Sequence, residues 1–154
     1  MLNFEGQGTA PTSNPVTNDS SILSPDGTKM VFPLVTSGGT QQLYLANSDG
    51  SHPVQITFEG DRNHSPAWSP CGRQILFVSD RDGDHEIFMM DADGSYQHQL
   101  TFNERWDGLP AWSPQGREIL FASDQDGAVE MYAMTDGAGT IRVEELNRIT
   151  PRTP

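Results

Sequence analysis

The chain has 154 residues, about one domain's length, and a formal net charge of −12 from 21 acidic and 9 basic side chains. That balance argues against a nucleic-acid partner, whose phosphates need clustered Lys and Arg, and equally against anionic membranes. It favours solubility and basic partners or cations. The single cysteine, Cys71, permits no internal disulfide. No apolar run approaches the length of a membrane helix, and residues 1–17 lack the basic and apolar regions of a secretory signal.

Residues 1–19 read as an irregular leader rich in Thr, Ser, Asn, Pro and Gly. Within it Leu2-Asn3-Phe4-Glu5-Gly6 is close to Ile56-Thr57-Phe58-Glu59-Gly60. It is either an outer strand of a preceding unit or a chance match. Residues 20–58 hold the first and most degenerate copy of a repeat, with Ser24-Pro25-Asp26-Gly27 at its start. Pro33 interrupts its second apolar run, where proline predicts a sheet edge or a bulge.

The second copy, residues 64–102, sets the pattern. Pro66-Ala67-Trp68-Ser69 is the first strand, and Ser-Pro-x-Gly turns the chain, since proline presets φ and glycine accepts φ > 0. Gln74-Ile75-Leu76-Phe77-Val78 is a continuous apolar run, as suits a strand buried on both faces. After a turn from Ser79 to Asp84, Glu86-Ile87-Phe88-Met89-Met90 makes a third strand, Asp93-Gly94 a hairpin, and Gln97-His98-Gln99-Leu100-Thr101 an alternating outer strand.

The third copy, residues 109–150, lies 44 residues on, and 16 of 25 positions are identical between residues 66–90 and 110–134. Chance does not give such agreement, so the two stretches are expected to build the same unit. Between Met131-Tyr132 and Ile149-Thr150 the third copy is about five residues longer, which predicts a longer last hairpin. The tail, residues 151–154, carries two prolines and ends the sheet. A repeat of this length with strand and turn chemistry predicts an all-β chain of β-propeller blades, each of four antiparallel strands, three per chain.

These motifs resemble the TolB-type propeller repeat, a WD-like blade whose consensus runs Pro-x-Trp-Ser-Pro-Asp-Gly, an apolar strand, Ser-Asp-x-x-Gly and an aromatic-containing strand. Trp68, Trp112, Ser69-Pro70, Ser113-Pro114, Gly72, Gly116, Ser79-Asp80, Ser123-Asp124, Phe88 and Tyr132 fit it. The first copy departs, with Leu23 for the tryptophan and Thr36-Ser37-Gly38-Gly39 for Ser-Asp-x-x-Gly. Cys71 and Gln115 replace the turn aspartate that Asp26 keeps. The resemblance implies a protein- or peptide-binding scaffold without catalysis, and a periplasmic or cell-envelope location, although this chain shows no signal peptide. It also implies an alternative, because similar repeats form the propellers of prolyl-oligopeptidase-like serine peptidases. A third reading is a calcium- or sugar-binding module.

Propellers close with about 4–8 blades. A three-blade arc would leave several large side chains wet on each end face, at ~1.5–3 kcal/mol apiece, against a domain stability of only about 5–15 kcal/mol. The expectation is a six-bladed ring closed by two copies of this chain, or membership of a larger propeller supplied by another chain.

In TolB-like propellers the link before Pro-x-Trp lies at a mouth of the central channel. The partner-binding candidates are therefore Asn63, His64, Arg105, Trp106 and Asp107. A loop tryptophan can anchor a partner or simply cover the neighbouring blade. Asn63 and Asp107 occupy matching places, where they line the mouth or cap the loop. Asp80, Asp82, Asp84 and Glu86 gather the carboxylates of a calcium loop, though glycine is fourth rather than sixth as in an EF-hand. The simpler reading is a turn in which Asp80 accepts backbone N–H groups and Gly83 supplies φ > 0. Calcium is the only cofactor this pattern suggests. His52, His64, His85 and His98 show no metal-ligand spacing. There is no Gly-x-Ser-x-Gly, phosphate loop or His-Glu-x-x-His, so no enzyme activity is expected.

Overall fold

The three Ser-Pro-x-Gly segments close the same turn three times. The hydroxyls of Ser24, Ser69 and Ser113 each accept the backbone N–H five residues on, from Lys29, Gln74 and Glu118, at 3.0 Å. Gly27, Gly72 and Gly116 sit at φ of 73°, 74° and 70°, a left-handed conformation that costs glycine nothing. Each turn launches the apolar strand that follows it.

The computed structural model describes residues 21–137, 140–141 and 147–148. Among them there is no helix, and the strands form three antiparallel sheets. The first runs β1 (Ile22–Leu23), β2 (Lys29–Val35), β3 (Gln41–Asn47), β4 (Val54–Gln55), each paired with the next. The second runs β5 (Asn63–Trp68), β6 (Gln74–Ser79), β7 (Glu86–Asp91), β8 (His98–Gln99) in the same order. The third runs β9 (Asp107–Trp112), β10 (Glu118–Ser123), β11 (Glu130–Gly137), β12 (Thr140–Ile141), with β13 (Asn147–Arg148) also beside β11. Each sheet is the meander the repeat predicts. The predicted leader, the tail and most of the longer last hairpin lie outside the described residues.

The apolar run of β6 is buried on both faces because the second sheet has a neighbour on either side. Ile75 and Phe77 pack towards the first sheet with Val31, Leu43, Ile56, Phe88 and Met90. Leu76 and Val78 point the other way, into a cluster with Ile119, Phe121, Tyr132 and Met134 of the third sheet. The first strands β1, β5 and β9 approach one another while β4 and β8 do not, so the first strands lie on the axis side of the arc. Indole N–H groups tie successive first strands together: Trp68 donates to Ile22 O at 3.1 Å and Trp112 to Ala67 O at 3.3 Å.

Two local expectations change. The first strands begin at Asn63 and Asp107, three residues before Pro66 and Pro110. A bulge makes this extension tolerable. The pairing shifts between His64 and Ala67 in β5 and is broken at the matching place in β9, where Ser65 and Leu109 take φ of 54° and 53°. Proline has no N–H to give a ladder, and a bulge is where a strand accommodates it. Pro33, by contrast, causes no bulge: β2 and β3 pair without a break from Lys29↔Asn47 to Val35↔Gln41. Among the described residues, β1 pairs with β2 only at Met30 and Val31, and Pro33 stands beyond them.

Candidate functional site

The links Phe58 to Arg62 and Phe102 to Trp106 cross from one sheet to the next at the end where the β6–β7 and β10–β11 turns also lie. The link geometry is held from below. Asp80 Oδ1 accepts the N–H groups of Asp61 and Arg62, both at 2.9 Å, and Asp124 Oδ1 accepts that of Trp106 at 3.0 Å. Asp80 thus performs the turn-and-clamp role, with Gly83 at φ 118° in its turn.

Of the partner candidates, Asn63 and Asp107 have 0% exposure and lie at the junctions between the sheets. Asn63 Nδ2 donates to Gln42 Oε1 at 2.9 Å and Glu59 O at 2.8 Å, and its Oδ1 accepts from Arg81 Nη2 at 3.2 Å. Gln42 Oε1 also accepts from Thr57 Oγ1 at 2.8 Å. The guanidinium of Arg81 lies 4.7 Å from the Phe88 ring centroid and 5.4 Å from that of Phe77. His64 is half-buried, 2.9 Å from Ser65 Oγ and with its ring 5.4 Å from that of His85. Burial, with His85 and Arg62 beside it, holds His64 below the usual histidine range. Trp106 is half-buried and lies flat over Gly108, where an added Cβ would come 2.4 Å from Cζ2. Arg105 is exposed.

Two residues that sequence reasoning passed over dominate this end. Phe58 is 72% exposed and Phe102 is 67% exposed, at equivalent positions of the two links. The signal was present in the repeated Thr57-Phe58 and Thr101-Phe102, but an apolar residue after an alternating strand reads as that strand's last residue. On the axis side a groove of about 490 Å³ opens between the first and second sheets, lined by Ile22, Pro33, Gln41, Arg62, His64 and Pro66.

The same positions one blade on are acidic. Glu86, Thr101 and Asp107 stand where Gln42, Thr57 and Asn63 stand 44 residues earlier. Thr101 Oγ1 donates to Glu86 Oε2, and Asn103 Nδ2 donates to Asp107 Oδ2 at 2.7 Å. Glu86 is fully enclosed, and burial pushes its carboxyl up to about 9, opposed by the Thr101 bond and reinforced by Asp107 and Asp84. Burial, then Asp82 and Asp107, pushes Asp84 up as well. Carboxylate oxygens of Asp82, Asp84 and Glu86 all lie within 4.8 Å of one another.

Residues 61–151 match the family model for the TolB beta propeller domain. The chain belongs to this family. Among solved structures it resembles TolB from Agrobacterium tumefaciens, with a TM-score of 0.76 and 28% identity over 87% of this chain and 46% of that one. TolB from Acinetobacter baumannii gives a TM-score of 0.69 and 26% identity over 86% of this chain and 32% of that one. A curated relative, dipeptidyl-peptidase 5 of Porphyromonas gingivalis, is 41% identical over 66 residues, which are 40% of this chain and 10% of that protein. This TolB-family chain therefore spans less than half the length of each of these relatives.

Proposed function

We propose that the chain is a non-catalytic propeller module that binds a protein or peptide on the link end, in the cell envelope. The observation that carries the reading is the repeated exposed aromatic: Phe58 and Phe102 stand out from the links, with Arg62 and Arg105 exposed nearby and the axis-side groove opening beside Arg62 and His64. Exposed phenylalanines flanked by arginines combine apolar area with directed charge, the composition of an interface centre. Resemblance to the TolB structures supports the binding role and the envelope location.

The arc is completed, in this reading, by a second copy. Leu76 and Ile87 are fully buried between sheets, whereas their third-sheet counterparts Leu120 and Met131 are half-buried and 38% exposed. That outer face has the chemistry of a blade interface, and the A. tumefaciens TolB chain is about two of these lengths, since one covers 46% of it.

A second reading, the propeller of a serine peptidase, rests on the match to dipeptidyl-peptidase 5. A parent chain carrying a nucleophile serine outside these residues would decide for it.

The binding role is tested with peptides selected from a displayed library on the full chain. Phe102→Ala with Arg105→Ala should weaken the selected peptides at least about tenfold, a loss of ~1.4 kcal/mol or more. Tyr96→Ala, which removes an aromatic 81% exposed in the hairpin at the opposite end, should leave them unchanged. Peptides that ignore the double variant would overturn the assignment.

A further inference from the structure

Three buried carboxylate oxygens, Asp84 Oδ2, Glu86 Oε1 and Asp107 Oδ1, have no hydrogen-bond partner. They come from the β6–β7 turn, β7 and β9, at the junction of the second and third sheets; carboxylate oxygens of Asp84 and Glu86 lie within 4.8 Å of each other and of Asp82, and Asp107 comes against Glu86. The junction of the first and second sheets shows what the same place looks like when it is satisfied. There Gln42 offers an oxygen and Asn63 an N–H, and the two meet at 2.9 Å. Replacing that amide pair by Glu86 and Asp107 removes the N–H between them and leaves acceptor against acceptor. Buried acceptors in that state are costly, and native structures supply something to satisfy them.

A shared proton is the simplest supplement, but one proton joins two oxygens and leaves the third. A cation held by Asp82, Asp84 and Glu86, whose oxygens lie within 4.8 Å of one another, also answers the charge of Asp107 beside Glu86. The other oxygen of Glu86 is held by Thr101 and that of Asp107 by Asn103, which aims the free oxygens. Asp82 adds a rim carboxylate, its Oδ2 held by Gln99 Nε2 at 2.5 Å, and Glu104 adds negative charge beside Asp84. Among the described residues no side-chain cation is paired with Asp84, Glu86 or Asp107; Arg81 pairs with Glu59 at 3.8 Å and acts only on Asp82 of the group.

We propose that Asp82, Asp84 and Glu86, with Asp107 of the third sheet beside Glu86, bind a calcium ion at the junction of the second and third sheets. Calcium fits better than magnesium because it accepts about 6–8 oxygens in irregular geometry, several of them carboxylates, with water completing the shell. Asp80 takes no part, being committed to the link N–H groups. The third repeat has Ala128 in place of Asp84, so its turn is not expected to form the same site.

The test uses the full chain freed of metal with a chelator and titrated calorimetrically with calcium chloride, alongside thermal unfolding with and without calcium. Calcium should bind near one ion per chain at this site and raise the unfolding midpoint, because it binds the folded state. Asp84→Asn should weaken binding at least about tenfold by removing one charged ligand. Glu86→Gln combined with Asp107→Asn copies the Gln42–Asn63 junction, so it should fold, bind no calcium here and unfold at a midpoint indifferent to it. Two results would overturn the proposal. One is a wild-type chain that ignores millimolar calcium but gains stability on acidification from about pH 8 to 6, a gain the double variant lacks; the pair would then share a proton. The other is Asp84→Asn binding calcium as tightly as wild type, which would place the ion elsewhere on this acidic chain.

Discussion

Phe77→Ala should destabilise the chain by about 3–5 kcal/mol, the usual range for emptying a buried phenylalanine site. Phe77 has no exposed surface and stacks on Phe88 with ring centroids 5.6 Å apart. It belongs to the cluster that joins the second sheet to the first through Val31, Leu43 and Ile56. Alanine there opens a cavity between two blades rather than inside one sheet. The sheets are stiffened by their own ladders and can close over it only in part. Arg81 loses one of the two rings beneath its guanidinium as well. The loss is read from urea unfolding of the full chain, and it is a large part of the ~5–15 kcal/mol that a domain has. A loss below about 1 kcal/mol would mean that the first and second sheets do not pack in solution as described.

Asn63→Ala should cost about 2–4 kcal/mol, although it deletes little apolar surface. Three groups lose a partner together: Gln42 Oε1, which keeps only Thr57 Oγ1, the Glu59 carbonyl and Arg81 Nη2. A buried group left unsatisfied costs about 1–3 kcal/mol, and these three can recover only partly by taking up water at the link. Asn63→Asp is the sharper comparison. It places a carboxylate against Gln42 Oε1 while Gln42 Nε2 is held by Gly60 O at 3.0 Å, so the first junction acquires the acceptor-on-acceptor contact of the second without its cluster of acids. Its stability should fall and should not recover with calcium. Thermal midpoints of the two variants, measured with and without calcium chloride, check both statements.

Much of the fold could be read from the residues because each strand carries its own punctuation. Ser-Pro-x-Gly is both a sequence pattern and a hydrogen-bonded turn, and the run Ile75-Leu76-Phe77-Val78 needed two covered faces, which the flanking sheets supply. Less could be read where structure depends on a conformation no residue type announces. Ser65 and Leu109 adopt positive φ, which neither favours, and the bulge there carries β5 and β9 back to Asn63 and Asp107. Residues that looked like link loops are therefore strand residues, two of them fully buried. The acids of the β6–β7 turn looked like one loop-borne set, but Asp80 bonds the link while Asp107, distant in sequence, comes against Glu86. Contacts between blades join positions 20 or more residues apart, and the repeat alone does not say which side chains they bring together.

The solution mass by light scattering on a sizing column tests the arc most directly. The outer face of the third sheet, with Leu120 and Met131 incompletely covered, predicts a particle of twice the 16.9 kDa of one chain at micromolar concentration, its unfolding midpoint rising with concentration. A monodisperse particle of one chain mass that unfolds cooperatively, with a midpoint independent of concentration, would contradict the account.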